Sequence, residues 1–246
     1  MSKVIALLAL AGCLAIDASA QGDVDLEAST VAADIVQQTN AFREVQRRAP
    51  VTSAAGLTEA AQAFADLMAR TDRYGHEADG REPPERARQH GYDYCIVSEN
   101  IAYRYRKPEF ERHELAQSLV EGWENSPVHR RNLLDPDVRD TGVGIAKSRK
   151  TGRWYAVQMF GLPKDAQIRF QVANETPQTI RYRLGERSFE LEPRLTRTHL
   201  QCRDAEVSVG SPDQPAKTIH PRTGKRYEVH RDTDGQWSVV EANATG

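Results

Sequence analysis

The chain is predicted to be an α+β protein in two parts: helices on both faces of a small, mainly antiparallel sheet, then an all-β sandwich or open barrel. Three observations carry this. Up to Glu124 the apolar residues recur at helical spacing. Between Gly142 and Phe160 two apolar runs flank a Lys150-Thr151-Gly152 turn, the pattern of a β-hairpin. From Gln167 onward the helical period disappears and strict alternation replaces it. The boundary is placed between Gly161 and Gln167, which makes segments 30–162 and 167–241 the two folded units, behind a leader at 1–20.

The elements follow in order. Thr30 to Arg48 reads as a helix, with Val31, Ile35, Val36, Thr39 and Phe42 near one face and Pro50 ending it. Leu57 to Arg70 is a second, with Gly56 or Thr58 near its start and Leu57, Ala61, Phe64, Ala65 and Met68 as the buried stripe. Pro83-Pro84 opens a short helix through Gln89, and Gly91 stops it. Glu109 to Glu124 is the third long helix, on a Leu115, Leu119, Trp123 stripe. Ser126 and Pro127 form an N-cap and N1 pair, so a short helix is expected from there to Leu134. Strands are predicted at Gly142–Ala146 and Trp154–Phe160. Beyond Pro163 the alternating runs Ile168–Val172, Ile180–Leu184, Phe189–Leu191, Val207–Val209, Tyr227–Val229 and Trp237–Val239 are divided by Gly, Pro and Asn turn signals.

Composition excludes some classes. A net charge of −2 offers no basic excess for nucleic acid, and no apolar run is long enough for a transmembrane segment. Lys3, the apolar stretch Val4–Ile16 and the small residues Ala18-Ser19-Ala20 form a secretory signal with cleavage after Ala20. The protein is therefore expected to be secreted or periplasmic. Leu10-Ala11-Gly12-Cys13 also reads as a lipobox, and the alternative is a lipoprotein anchored through Cys13. Cys95 and Cys202 remain after cleavage; an oxidising compartment permits a disulfide between them, and two buried thiols are the alternative.

Chemistry concentrates in three islands: Gly75-His76-Glu77-Ala78-Asp79-Gly80, Ser98-Glu99-Asn100-Ile101-Ala102, and Trp123 to Arg130. His76 and His129 each offer one imidazole nitrogen to a borderline cation such as zinc. Glu99 can accept the other imidazole N–H, fix its tautomer, act as a base on bound water, or bridge backbone amides ahead of a strand. Asn100 reads as a partner for loop carbonyls, Ser126 as a helix cap rather than a nucleophile, and Trp123 as core. Other histidines are read as ordinary surface or core residues. The zinc-protease spacing fails at Gly80, and no phosphate-binding loop or Cys-x-x-Cys pair exists. Arg181 and Arg183, with Arg194 and Arg197, can line one strand face or simply solvate strand edges.

The ordered set His76-x-x-x-Gly80, Glu99-Asn100-Ile101-Ala102, Trp123-x-x-Ser126-Pro127-x-His129-Arg130-x-Asn132-Leu133-Leu134 and Gly142-Val143-Gly144-Ile145 resembles the CAP superfamily (SCP/TAPS, PR-1-like) over Val31 to Gly161. Asn40-x-x-Arg43 and Arg86-Ala87 before Gly91-Tyr92 belong to the same resemblance. It implies an αβα sandwich in which His76, Glu99 and His129 meet in one cleft. Fuller members carry a second glutamate on the helix before His129. Here Glu121 and Glu124 flank Trp123, and the position three beyond it is Ser126. The expected role is binding without catalysis, in a cleft of His76, Glu99, His129, Glu124 and Asn100, of a divalent metal such as zinc (held by His76 and His129), a lipid, or an envelope component. One alternative is a metal-dependent hydrolase of peptide or envelope substrate with Glu99 as its base. The other is a non-catalytic interaction scaffold.

Overall fold

Side-chain alternation along one central strand decides how the N-terminal layers stack. A computed structural model describes residues 17–210 and 216–244. Its first half contains α1 (Asp17–Val45), β1 (Thr52–Ser53), α2 (Ala55–Thr71), α3 (Pro83–Gln89), β2 (Tyr94–Arg104), α4 (Arg112–Glu124), α5 (Pro127–Leu133), β3 (Asp140–Lys147) and β4 (Trp154–Pro163). The sheet runs β1-β3-β4-β2, antiparallel except for the β1–β3 pair. Along β4, Trp154, Ala156 and Phe160 enter the core shared with α1 and α4. Tyr155, Val157 and Met159 enter the opposite core, shared with α2 and α3. A period of two splits one strand between two helical layers, which is why β4 reads as a continuous apolar run.

Two glycines set the spacing of these layers. A Cβ on Gly142 would lie inside the backbone of Leu57 and Thr58, and one on Gly144 inside that of Ala61 and Gln62. Helix α2 therefore rests directly on the bare backbone of β3. On the other face Leu115, Leu119 and Trp123 of α4 are buried, each contributing about 1.5–3 kcal/mol of apolar burial.

The second half is β5 (Ile168–Asn174), β6 (Ile180–Leu184), β7 (Arg187–Leu191), β8 (Thr196–Gln201), β9 (Val207–Val209), β10 (Lys217–Ile219), β11 (Lys225–Arg231) and β12 (Trp237–Asn243). They form two four-stranded sheets, β10-β9-β6-β7 and β12-β11-β5-β8. Phe170 and Val172 from one sheet meet Tyr182, Leu184 and Val209 from the other in one core. The α+β class, the layered first part and the strand-rich second part are thus as predicted.

Several elements differ from expectation. Strand β2 carries Glu99 at its middle, so Glu99 lies within a strand and not ahead of one. Helix α4 begins at Arg112, because Glu111 and Glu114 form a capping box there. Ser126 holds the N-cap position of α5 with extended backbone and Pro127 at N1, but its side chain makes no capping bond. The fixed φ of Pro127, and not the hydroxyl, sets the start of that seven-residue helix. Strands β8 and β10 were not anticipated: Thr196–Gln201 has one buried residue, His199, and Lys217–Ile219 is too short to show alternation. Helix α1 reaches back to Asp17, past the expected cleavage point at Ala20. The signal run Val4–Ile16 and the lipobox Cys13 lie outside the described residues. No helix among the described residues is long and apolar enough to cross a membrane.

Cys95 of β2 and Cys202, just after β8, are joined in a disulfide, so the alternative of two free thiols does not hold. Beside it Arg203 reaches Asp135 through two bonds of 2.9 and 2.7 Å and Asp137 through one of 2.7 Å. The two halves are thus tied by a covalent bond and an ionic clasp.

A candidate functional site at the edge strand β2

Strand β2 is the edge of its sheet, and side chains from both helical layers cover its open carbonyls. Trp123 Nε1 and the Tyr74 hydroxyl both donate to the Ile101 carbonyl at 3.2 Å. Asn132 Nδ2 donates to the Glu99 carbonyl at 3.2 Å and to Asn100 Oδ1 at 2.9 Å. Asn100 Nδ2 in turn donates to the His129 carbonyl at 3.1 Å. These bonds fix α5, and with it His129, against the strand.

From the other layer comes the loop after α2. Asp72 ends that helix in a left-handed conformation. Its carboxylate accepts from Thr151 Oγ1 at 2.8 Å and from Tyr155 Oη at 3.3 Å. Hydrogen bonding to the Thr151 and Ser148 hydroxyls holds the Asp72 pKa below its ordinary value. Gly75 and Gly80 bracket the loop at positive φ, which an L side chain would strain. His76 lies between them and lines an open depression of about 420 Å³ with Tyr74, Glu77 and Ala78.

The chemistry turns on Glu99, whose side chain is fully buried. Its Oε1 lies 2.8 Å from His76 Nδ1. Arg86 Nη2 donates to both of its oxygens, at 3.0 and 2.8 Å. Arg86 also reaches Asp79 Oδ1 at 2.8 Å and the carbonyls of Arg81 and His76 at 2.7 and 2.8 Å, with its guanidinium 3.7 Å over the Phe64 ring. A carboxylate can only accept, so the proton between Glu99 and His76 belongs to Nδ1. The neutral imidazole then carries its lone pair on Nε2, on a side chain that is 48% exposed. Burial foremost lowers the His129 pKa, so that imidazole favours its neutral form.

The structure brings His76, Glu99, Asn100 and His129 to one strand edge. Glu124 stands apart: no hydrogen bond or ion pair among the described residues joins its side chain to His76, Glu99 or His129. Burial raises its pKa, with Arg130 opposing. Sequence reasoning noted Arg86 within the family resemblance and Asp79 within the first island, but gave neither a role at the site. Arg86 is one of three arginines between Arg81 and Arg88, and nothing local marks it as the buried one. Among the described residues no group of three or more His, Cys, Asp or Glu is placed to hold a metal.

The cysteine-rich secretory protein family (CAP) matches residues 36–160. Over 115 residues the chain is 30% identical to the Bacillus subtilis (strain 168) uncharacterized protein YkwD, covering 46% of this chain and 42% of that protein. An extracellular protein containing a SCP domain from Bacillus anthracis str. Ames is similar in fold, with a TM-score of 0.50, 20% identity, and coverage of 61% of this chain and 44% of that one. An outer surface protein from Borrelia burgdorferi gives a TM-score of 0.46 and 19% identity over 52% of this chain and 90% of its own. The chain thus spans less than half the length of the first two of these.

Proposed function

We propose a ligand-binding role without catalysis for this chain, which belongs to the cysteine-rich secretory protein (CAP) family. The ligand is taken at the edge of β2 through a divalent cation shared with His76 Nε2 and the His129 imidazole. One observation carries this reading: Glu99 is committed on both oxygens, to Arg86 and to His76 Nδ1. A carboxylate that accepts the second N–H of a histidine orients that histidine as a ligand and raises its basicity. The full burial of the Glu99 side chain argues against the hydrolase alternative, because a base must be within reach of water.

A secreted or envelope location accords with the leader-like residues 1–20 and with the extracellular description of the Bacillus anthracis structure. Segments 30–162 and 167–241 are read as separate folding units, the second presenting its own surface. The cation would be exchangeable and supply Lewis acidity for holding an anionic or carbonyl group of the ligand. His76, His129 and the orienting Glu99 are the chain's part in it.

Zinc titration of the full chain by calorimetry tests this. One equivalent should bind, His76→Ala and His129→Ala should each abolish it, and Glu99→Gln should weaken it about 10–100-fold. Acid should release the metal, and the lowered His129 pKa delays proton competition at that imidazole. Absence of zinc binding, or binding indifferent to both histidines, would remove the cation from the proposal.

A further inference from the structure

The outer face of the β10-β9-β6-β7 sheet holds a depression of about 810 Å³, far from the cleft residues in sequence and on another sheet. Its floor follows from register. Arg183 of β6 lies directly opposite Ser188 of β7 on one side and Ser208 of β9 on the other. Thr218 of β10 continues the row beyond Ser208. Directly opposed residues share a face with Cβ atoms about 4.5–5.5 Å apart, so three hydroxyls and one guanidinium form a continuous line. Small residues lower part of its floor: Gly210 and Ala216 line the same depression as the longer Arg181, Arg183 and Glu190.

Charge makes this row distinctive. Arg181, one position along the face, is satisfied by Glu190, with Nε and Nη2 each 2.7 Å from Oε1. That pair occupies one diagonal carboxylate of the face, and Glu206 on the other side lies 3.2 Å from His220 Nε2. Among the described residues the Arg183 side chain has no hydrogen bond, ion pair or ring contact, and the hydroxyls of Ser188, Ser208 and Thr218 have no partner. Among the described residues the sheet therefore presents a forked cation with no ion-pair partner and a hydroxyl at each flank.

We propose that this face binds an acidic sugar, with its carboxylate or phosphate on Arg183 and its ring hydroxyls on Ser188 and Ser208. A guanidinium fork matches either oxyanion through paired N–H bonds. The flanking hydroxyls both donate and accept, as sugar hydroxyls do, whereas an apolar body would leave them covered and unpaired. The volume lies within the roughly 300–1,000 Å³ of sites that take small organic ligands, well beyond what a bare oxyanion fills. The site needs nothing from His76 or His129.

The test is calorimetric titration of the full chain with four probes: an oligogalacturonate, a hexose phosphate, a neutral oligosaccharide of equal length, and inorganic phosphate. At least one acidic sugar should bind more tightly than the neutral sugar and inorganic phosphate, and whichever does so names the oxyanion. Arg183→Gln should weaken that binding about tenfold or more, and Ser188→Ala with Ser208→Ala several-fold. All these residues are exposed or half-buried, so the unfolding midpoint of each variant should match the parent and exclude misfolding. Equal binding of neutral and acidic sugars, equal binding of inorganic phosphate, indifference to Arg183→Gln, or no binding of any probe would each overturn the proposal. His76→Ala should leave this binding unchanged, which separates it from the cleft.

Discussion

The two halves of the molecule differ in whether they bury charge. Among the described residues the N-terminal half buries the ions Arg43, Arg86 and Glu99 beside neutral groups such as Asn100 and Gln158, whereas the C-terminal sandwich buries only the neutral Asn174, Thr176 and His199. His199 stacks on Phe170 with centroids 5.2 Å apart, and its Nε2 lies 2.7 Å from the Tyr182 hydroxyl. Burial first, then the charges of Arg197 and Arg187, push its pKa down to about 4. His76 has the opposite setting, half exposed and facing a buried carboxylate. The buried Asn174, Thr176 and His199 find their partners within the sandwich and end there. The Arg86–Glu99 pair ends on an exposed imidazole, and that outward connection, more than burial of charge itself, marks a site. Arg43 makes the same point in reverse, since its charge is spent on the carbonyls of Ala49, Leu133 and Asp135.

This contrast can be broken by removing one partner on the ionic side. Arg86→Ala leaves Glu99 and Asp79 without their cation and should cost about 3–5 kcal/mol in urea unfolding. A cost below about 1 kcal/mol would show that the network is not the structural base of the cleft. A smaller effect is expected at the joint. Replacing Cys95 and Cys202 with serine opens a link spanning a sequence separation of 107 and should cost about 2–4 kcal/mol. It should also resolve unfolding into two midpoints, one for each half; a single unchanged midpoint would count against separate units.

The neutral side is probed by pH. The folded His199 value of about 4 lies below the unfolded value of about 6.5, so the unfolded chain binds the extra proton in between. Stability is therefore full above pH 6.5 and declines as pH falls toward 4, by up to about 3 kcal/mol. Comparing urea midpoints at pH 7.5 and 4.5 in the parent and in His199→Phe isolates this residue. If the variant keeps the whole pH dependence, protonation acts elsewhere and the contrast loses its neutral half.

Much of the fold is legible where one period persists. The Leu57-to-Met68 and Leu115-to-Trp123 stripes and the alternating runs after Gln167 all lie in the elements they signalled. Strand β2 was obscured because Ser98-Glu99-Asn100 interrupts its apolar pattern, and those polar residues are tolerated mid-strand only because Arg86, His129 and Asn132 meet them from other elements. Strand β8 was hidden because it is an edge with a single residue in the core. At the candidate site, the ordered surroundings singled out His76, Glu99 and His129, of which His76 and Glu99 lie 2.8 Å apart. Arg86 and Asp79 were given no role there, since a buried ion pair depends on which of several surface-type residues the chain folds inward. Arg181 and Arg183 do share a face, but Arg194 lies in a turn and Arg197 on the other sheet.

The attachments of the sandwich have a mechanical consequence. Chain continuity leaves β4 at Pro163, which pairs with Tyr94 at the start of β2, and the disulfide holds Cys95 beside it. Arg203 grips Asp135 and Asp137, just before β3 begins at Asp140, which pairs with Gly161. All three fastenings thus lie at one end of the N-terminal sheet. Three neighbouring fastenings restrain swivelling more than any one of them would alone. Torque on the sandwich is therefore delivered lengthwise into β2, where Glu99 lies four residues, roughly 13 Å, beyond the disulfide.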